Sequence, residues 1–337
     1  MCKSYSPNLP SRVTATISRV LSMTMAVVLD VTLQTGQGPV HRVLKLYDRR
    51  FGSCLREVRK DQAVPHTQET EAAFEAFVRR GMMPGFLRHR KERNETETLP
   101  VSAREFLDEP NRTEGLAKYE AALWQDCAEH FECETKAYHR LTDLQGTVVP
   151  RIYAHVTLSA TELATIIPQE TAPYFEVRGI LLERIDGDCL DNLTLGPLPQ
   201  NLRTWHHIIQ LAADAGYEIN KHGVIMQDCA PRNVVVDRQS QTPRIVDLAQ
   251  CVFRDEMVSE WYQWGWDEDE DWDPDVEYWE QASTISNPGA IGAVMANRIQ
   301  RKTGVKMDFR YPDWSGIIAQ IRRRKEEAAA GHGTEGP

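Results

Sequence analysis

The sequence predicts an α+β chain of two lobes, an N-terminal antiparallel sheet with one main helix and a mostly helical C-terminal lobe. Three observations predict it. β-branched runs parted by turn residues open the chain, a long stretch with apolar residues at three- and four-residue steps follows, and helical periodicity dominates beyond residue 200. At 337 residues the chain can bury a sizeable core, either as one two-lobed protein or as two modest domains.

Residues 1–13 read as an N-terminal arm and 14–183 as the first lobe. ATISRVLS and MAVVLDVTLQ are β-branched strands, QTGQGP is a turn, and VHRVLKLYD alternates so that Val43 and Lys45 share one face while Leu44 and Leu46 share the other. From about 52 to 116 the pattern breaks. Thr67 to Arg80 predicts a helix with Ala73, Phe74, Phe77 and Val78 on one stripe and Gly81 as its stop. The turn-rich remainder reads as an inserted, partly mobile region. In LAKYEAALWQDCAEHFECETKAYHRLTDL, Trp124, Cys127, Phe131, Glu134, Tyr138 and Leu141 recur at helical steps, which puts Glu134 on or beside the buried stripe. VVPRIYAHVTL and YFEVRGILLERI are further strands. In the second lobe, 184–326, helices are predicted over Leu202 to Lys221, closed by Gly223, and in GAIGAVMANRIQ and WSGIIAQIRRRKEEAAA. Residues 327–337 read as a flexible tail.

The net charge of −10 disfavours non-specific binding to nucleic acid or anionic membranes, and Asp255 to Glu280 holds twelve carboxylates with no Lys or Arg. The best basic patch, RRGMMPGFLRHRKER, reads as a solvated segment. Seven scattered cysteines without a CxxC pair argue against a disulfide framework or structural zinc and for a reduced compartment. The apolar stretch from Val20 to Val31 is too short and too broken for a signal peptide or a membrane span. The expectation is a cytoplasmic protein whose sequons at Asn94, Asn111 and Asn192 go unused.

Lys45 on the third strand, Glu134 on the long helix, then Asp228, Asn233 and Asp247 stand in an order that suits phosphoryl transfer. That reaction needs a cation over phosphates, an anion to hold it, oxygen ligands for Mg²⁺ and a carboxylate near the incoming hydroxyl. Taken singly, each has an ordinary alternative: an edge-strand lysine, a helix-surface glutamate, turn residues and a cap.

Together, LKLYDRRF, ETKAYHRLTDLQGTVVPRIYA, GILLERIDG, DCAPRNVVVD and RIVDLAQC resemble the protein-kinase-like superfamily, most of all its divergent fungal kinase-like and aminoglycoside-phosphotransferase-like branch, over roughly residues 14–300. The resemblance implies ATP and Mg²⁺ as cofactors. Lys45 would contact the phosphates and pair with Glu134, or with Glu132 if the helix phase differs. Asp228 would orient or deprotonate the acceptor hydroxyl, Asn233 and Asp247 would be metal ligands, and Arg232 would neutralise phosphate or hold the loop. The backbone from Glu183 to Ile185 would face adenine. Ser22, Met23 and Thr24 stand where the family has a glycine-rich phosphate loop, which implies a bulkier roof. MQD and DLA replace the usual triplets around Asp228 and Asp247, arguing against control by activation-loop phosphorylation.

Five aromatics between Trp261 and Trp272 lie beside a carboxylate run. Trp264, Trp266, Asp267, Glu268 and Asp269 would form a wall suited to a cationic small molecule, and the alternative is a solvated loop whose aromatics dock on the C-terminal lobe. The leading expectation is transfer of the γ-phosphoryl group to a hydroxyl of such a molecule, ahead of Ser/Thr on a protein. A pseudokinase or scaffold, adenylyl transfer, and another group transfer such as aminoacyl-tRNA-dependent peptide-bond formation with arginine remain open. The last would use the Arg79 to Arg93 patch to hold tRNA.

Overall fold

The computed structural model describes residues 3–4, 14–59, 62–158, 168–193, 202–268 and 272–332. The chain divides into two compact units, Met1–Thr135 with Arg151–Arg184, and Lys136–Pro150 with Ile185–Pro337. The first is an antiparallel sheet with one main helix and the second is mostly helical, as the fold class predicts.

In the first unit the elements run β1 (Lys3–Ser4), β2 (Ala15–Met23), β3 (Val27–Thr35), β4 (Gly38–Tyr47), β5 (Glu57–Arg59), β6 (Gln62–Ala63), α1 (Gln68–Arg79), α2 (Met83–Thr96), α3 (Arg112–Arg140), β7 (Ile152–Leu158) and β8 (Val177–Glu183). Strands β5 and β6 make a small ribbon, and the other six form one sheet in the order β1-β7-β8-β4-β3-β2. Alternation sets its faces. Leu44 and Leu46 join Val27, Leu29, Val31 and Leu33 of β3 in one apolar layer, while Lys45 and Tyr47 project the other way and meet α3.

The region expected to be a turn-rich insert is instead folded around its own core. Phe74, Phe77 and Val78 of α1, Met83 and Phe86 of α2, Phe106 of a 3₁₀ turn (Ala103–Asp108) and Tyr119 and Leu123 of α3 pack in one cluster. Thr67 caps α1 in a reciprocal box with Thr70. Pro84 sits in the first turn of α2, where a missing N–H costs nothing. The sequence hid α2 because its inward stripe is completed by a charged residue. Arg90 is buried, donates to the Val101 carbonyl at 2.8 Å and pairs with Asp126 at 2.7 Å.

A second buried network closes the loop after β4. Glu120 of α3 is fully buried between Arg49 at 2.5 Å and Arg56 at 2.6 Å, and Arg49 also holds Glu71 of α1 at 2.5 Å. Such charges persist out of water only because each is paired and hydrogen-bonded.

The second unit contains β9 (Gly187–Cys189), α4 (Leu190–Leu193), α5 (Leu202–Lys221), β10 (Val224–Met226), β11 (Val234–Asp237), β12 (Pro243–Ile245), β13 (Cys251–Phe253), α6 (Arg254–Gln263), α7 (Pro274–Ile285), α8 (Asn287–Thr303) and α9 (Trp314–His332). Helix α5 has the predicted bounds, buries Trp205, Ile208, Ile209, Ala212 and Ala213, and is followed by a turn at Gly223, whose φ of 74° is costly for residues with a Cβ. Short antiparallel strands carry the loops of interest: β10 pairs with β13, and β11 lies between β12 and β9. Helix α9 continues past residue 327, where the sequence reads as a tail, to His332.

Candidate functional site

In the first unit, Lys45 Nζ lies 2.6 Å from Glu134 Oε2, and both side chains are buried. The pair spans 89 residues of sequence and is set by two periodicities: Lys45 faces α3 because Leu44 and Leu46 face away, and Glu134 shares the inward stripe with Ala137, Tyr138 and Leu141. Tyr47, two residues along the same strand face, donates its hydroxyl to the same Glu134 oxygen. Glu132, the alternative partner, is instead exposed and pairs with Arg178.

Ser22 and Thr24 flank the turn between β2 and β3, with their hydroxyls 3.4 Å apart. The turn is tied down from below: the Met23 carbonyl accepts from the Ser53 amide at 2.8 Å and the Thr24 carbonyl from the Cys54 amide at 3.1 Å. Gly52 makes this approach possible, since a Cβ there would stand 2.9 Å from the Thr24 carbonyl oxygen and 2.7 Å from Leu55 Cβ. Glu183 closes the first unit's sheet. Its amide donates to the Arg151 carbonyl at 2.8 Å and its carboxylate accepts from the Arg151 amide at 3.0 Å. Ile185 belongs to the second unit and is half-buried.

In the second unit, the loop from β10 to β11 brings Asp228, Arg232 and Asn233 together. Pro231 starts a 3₁₀ turn (Pro231–Asn233), which folds Asn233 back so that its Nδ2 donates to the Asp228 carbonyl at 2.7 Å and to Asp228 Oδ2 at 3.2 Å. Arg232 donates to the other carboxylate oxygen, Asp228 Oδ1. Asn233 Oδ1 takes no part in these bonds. The Val246 amide donates to the Asn233 carbonyl at 2.8 Å, which places the next residue, Asp247, beside that loop. Asp247 has φ 66°, in the left-handed region that Asp and Asn tolerate best among residues with a Cβ, and Leu248 and Ala249 after it are buried.

Met226 is held by a residue that no motif marks. Asn287, fully buried at the start of α8, accepts from the Met226 amide at 3.0 Å and donates to the Met226 carbonyl at 2.7 Å, so one side chain does what a neighbouring strand would do. It also accepts from Asn220 Nδ2 at 2.8 Å. Cys229 donates its thiol to the Asn287 carbonyl at 3.4 Å, and burial, with the Asp228 charge adding to it, pushes that thiol up to about 12. It is therefore a packing group rather than a nucleophile. Tyr47, Gly52 and Asn287 carry no local sequence signal; an Asn-Pro pair opening a helix is the nearest hint.

The aromatic segment splits in two. Trp261 is buried and stacks on Trp266 at 5.7 Å, and Trp272 packs against the same cluster, whereas Trp264 is 63% exposed, Trp266 37% and Tyr262 50%. Asp267 is exposed. Asp269 lies outside the described residues, as does the placement of the Glu268 side chain. Among the described residues no group of three or more His, Cys, Asp or Glu side chains could hold a metal, and no helix is long and apolar enough to cross a membrane.

The basic segment is solvated as expected except at Arg90, with Arg79, Arg80, Arg88 and Lys91 exposed. Besides Arg90, Arg80 pairs with Glu114 at 2.8 Å, Arg79 with Glu75 at 3.2 Å, Arg93 with Glu97 at 2.5 Å, and Lys91 with Glu95 at 3.8 Å.

No family model matches the sequence, and neither does any curated protein. Among solved structures, the chain is distantly similar to the kinase domain of PknI from Mycobacterium tuberculosis. A double-mutant form of that domain is 14% identical with a TM-score of 0.33, and a single-mutant form 13% identical with a TM-score of 0.31. The match covers 72% of this chain and 64% and 63% of those two chains. At such scores the likeness assigns neither family nor activity, and the residues themselves must carry the reading.

Proposed function

We propose that the chain is an ATP- and Mg²⁺-dependent phosphotransferase of the protein-kinase-like superfamily, acting on a hydroxyl of a small cationic molecule. The observation that carries it is the buried Lys45–Glu134 pair, a lysine held rigid on a strand by a helix carboxylate and seconded by Tyr47. An isolated buried ion pair gains little stability over apolar packing, which favours a functional reason for keeping it.

In this reading Lys45 Nζ opposes phosphate charge, and Glu134 and Tyr47 fix its position. Adenine would meet the backbone near Ile185 rather than the Glu183 amide, which Arg151 already takes. The amide oxygen of Asn233 and the carboxylate of Asp247 are hard oxygen donors of the kind Mg²⁺ takes, with phosphate and water completing the set. Bound there, the metal would supply charge neutralisation of the phosphates. Asp228 is the acceptor-side carboxylate. Arg232 holds it in the resting state, so the incoming hydroxyl must share or displace that contact. The exposed faces of Trp264 and Trp266 beside Asp267 suit a cationic acceptor.

The tethered turn at Ser22 to Thr24 favours a second reading, a nucleotide-binding scaffold without turnover, because a fixed roof opposes closure over phosphates. Acidic neighbours pair with Arg79, Arg80, Lys91 and Arg93, which weakens the case for a tRNA-dependent reaction. A thermal-shift titration with ATP, with and without Mg²⁺, followed by detection of ADP with cationic acceptors, tests the proposal. Wild type should bind and turn over, Asp228→Asn should bind without turnover, and Lys45→Met should lose both. Absence of nucleotide binding at millimolar ATP sinks both readings, and binding without turnover leaves the scaffold.

A further inference from the structure

The first unit contains a cavity of about 90 Å³ that none of the assigned roles uses. It opens between the end of β4, α1, α3 and the segment leading into β8, with Arg50, Trp124, Cys127, Tyr174, Glu176 and Arg178 among its walls. One water occupies roughly 10–15 Å³ on the same scale, so the space holds about six to nine waters, or an organic molecule with a comparable number of heavy atoms.

Its charges are not evenly satisfied. Arg50 is locked on Asp48 by two bonds at 2.8 and 2.7 Å, Arg49 is shared by Glu120 and Glu71, and Arg178 is held by Glu132 while lying over the Phe131 ring. Every guanidinium on the wall thus has its carboxylate. Glu176 is half-buried and has no side-chain hydrogen bond or ion pair among the described residues. Tyr174, two residues before it, meets Trp124 edge to face at 5.0 Å, and both line the same cavity, so the wall also offers aromatic faces. A half-buried carboxylate and aromatic rings on the wall of one cavity can together recognise an organic cation, by charge and by ring quadrupole.

We propose that this cavity is a binding site for a small organic monocation of the alkylammonium class, with Glu176 as its counter-ion and Trp124 and Tyr174 as its walls. An anion would have to draw a wall guanidinium from its carboxylate while facing Glu176, and Glu176 is the one wall carboxylate without a partner among the described residues, which suits a single positive charge. The proposal does not depend on the phosphotransferase reading, since none of the residues assigned to transfer supplies the recognition.

Calorimetric titration of the full chain with n-butylammonium chloride, without nucleotide and at constant ionic strength, tests it. Saturable binding is expected, with 1-butanol and butyrate at least tenfold weaker. Glu176→Gln, which leaves no partner stranded, should weaken butylammonium at least tenfold. Glu95→Gln, an equal charge change on the surface of the same unit and away from the cavity wall, should leave it within twofold. Absence of saturable binding, equal binding of 1-butanol, or a Glu176→Gln affinity equal to wild type overturns the proposal. A melting curve for Glu176→Gln that superimposes on wild type establishes that the variant is folded.

Discussion

Replacing Asn287 by Ala is the sharpest test of how the loop bearing Asp228 is held. The change removes three hydrogen bonds, from the Met226 amide, to the Met226 carbonyl and from Asn220 Nδ2. Asn220 keeps its bond to the Val224 carbonyl at 3.0 Å and loses little. The two Met226 groups have no such substitute at a buried position. At about 1–3 kcal/mol for each buried polar group left unsatisfied, the second unit should lose about 2–6 kcal/mol, towards the lower end if a water enters the vacated space. Fluorescence is well suited to the measurement, because seven of the eight tryptophans, all but Trp124, belong to the second unit. Urea unfolding followed at the tryptophan emission should show a lower midpoint with an unchanged slope. Hydrogen exchange at the amides of Met226 to Asp228 should also quicken. A loss below about 0.5 kcal/mol, the ordinary range of surface substitutions, would refute the claim that Asn287 acts as the missing strand neighbour.

Three further outcomes follow from features of both units. Glu120→Gln leaves Arg56 without its carboxylate and Arg49 with Glu71 alone in a buried site, and should cost the first unit about 3–5 kcal/mol by circular dichroism melts, whereas Glu97→Gln, on an exposed pair, should leave the melt nearly unchanged. His222 contacts the Glu218 carbonyl at 2.7 Å and Asp143 at 2.9 Å. Burial lowers its pKa, but these two partners outweigh burial and leave it above 6.5. Asp143 is held below its ordinary 3.8, chiefly by His222. The stabilisation from His222 is then complete below pH 6.5 and fades as pH rises through the raised value, while that from Asp143 fades below pH 3.8. The stability gap between wild type and His222→Gln should therefore shrink from pH 6 to pH 9, and a gap independent of pH contradicts the assignment. Finally, iodoacetamide at pH 8 should label exposed Cys54 well before half-buried Cys229, as read by peptide mass; early labelling of Cys229 contradicts its raised pKa.

Much of this arrangement could be read in advance, and the reasons differ by residue. Lys45 and Glu134 were legible because each breaks an apolar run that the period of its own element assigns to the interior. The placement of Asn233 and Asp247 beside one loop was legible because each adjoins a short β-branched run, Val234 to Val236 and Ile245 to Val246. Helix α2 was not, because its stripe uses the stem of Arg90, which reads as surface in any hydropathy count. Tyr47 was seen only as a strand residue, since its bond to Glu134 spans 87 positions, and Asn287 reaches Met226 across 61. Partners so distant leave no periodic trace.

The backbone at Asp247 has a consequence for which amino acids the position will accept. Its φ of 66° selects for shape, admitting Gly, Asn and Asp and rejecting β-branched and bulky residues. The proposed metal role selects for charge and admits Asp. Saturation mutagenesis scored separately for folded yield and for turnover should therefore give two nested sets at this position, three residues wide for the fold and one for the chemistry. A set of the same width in both screens would mean that the side chain serves the turn and nothing more.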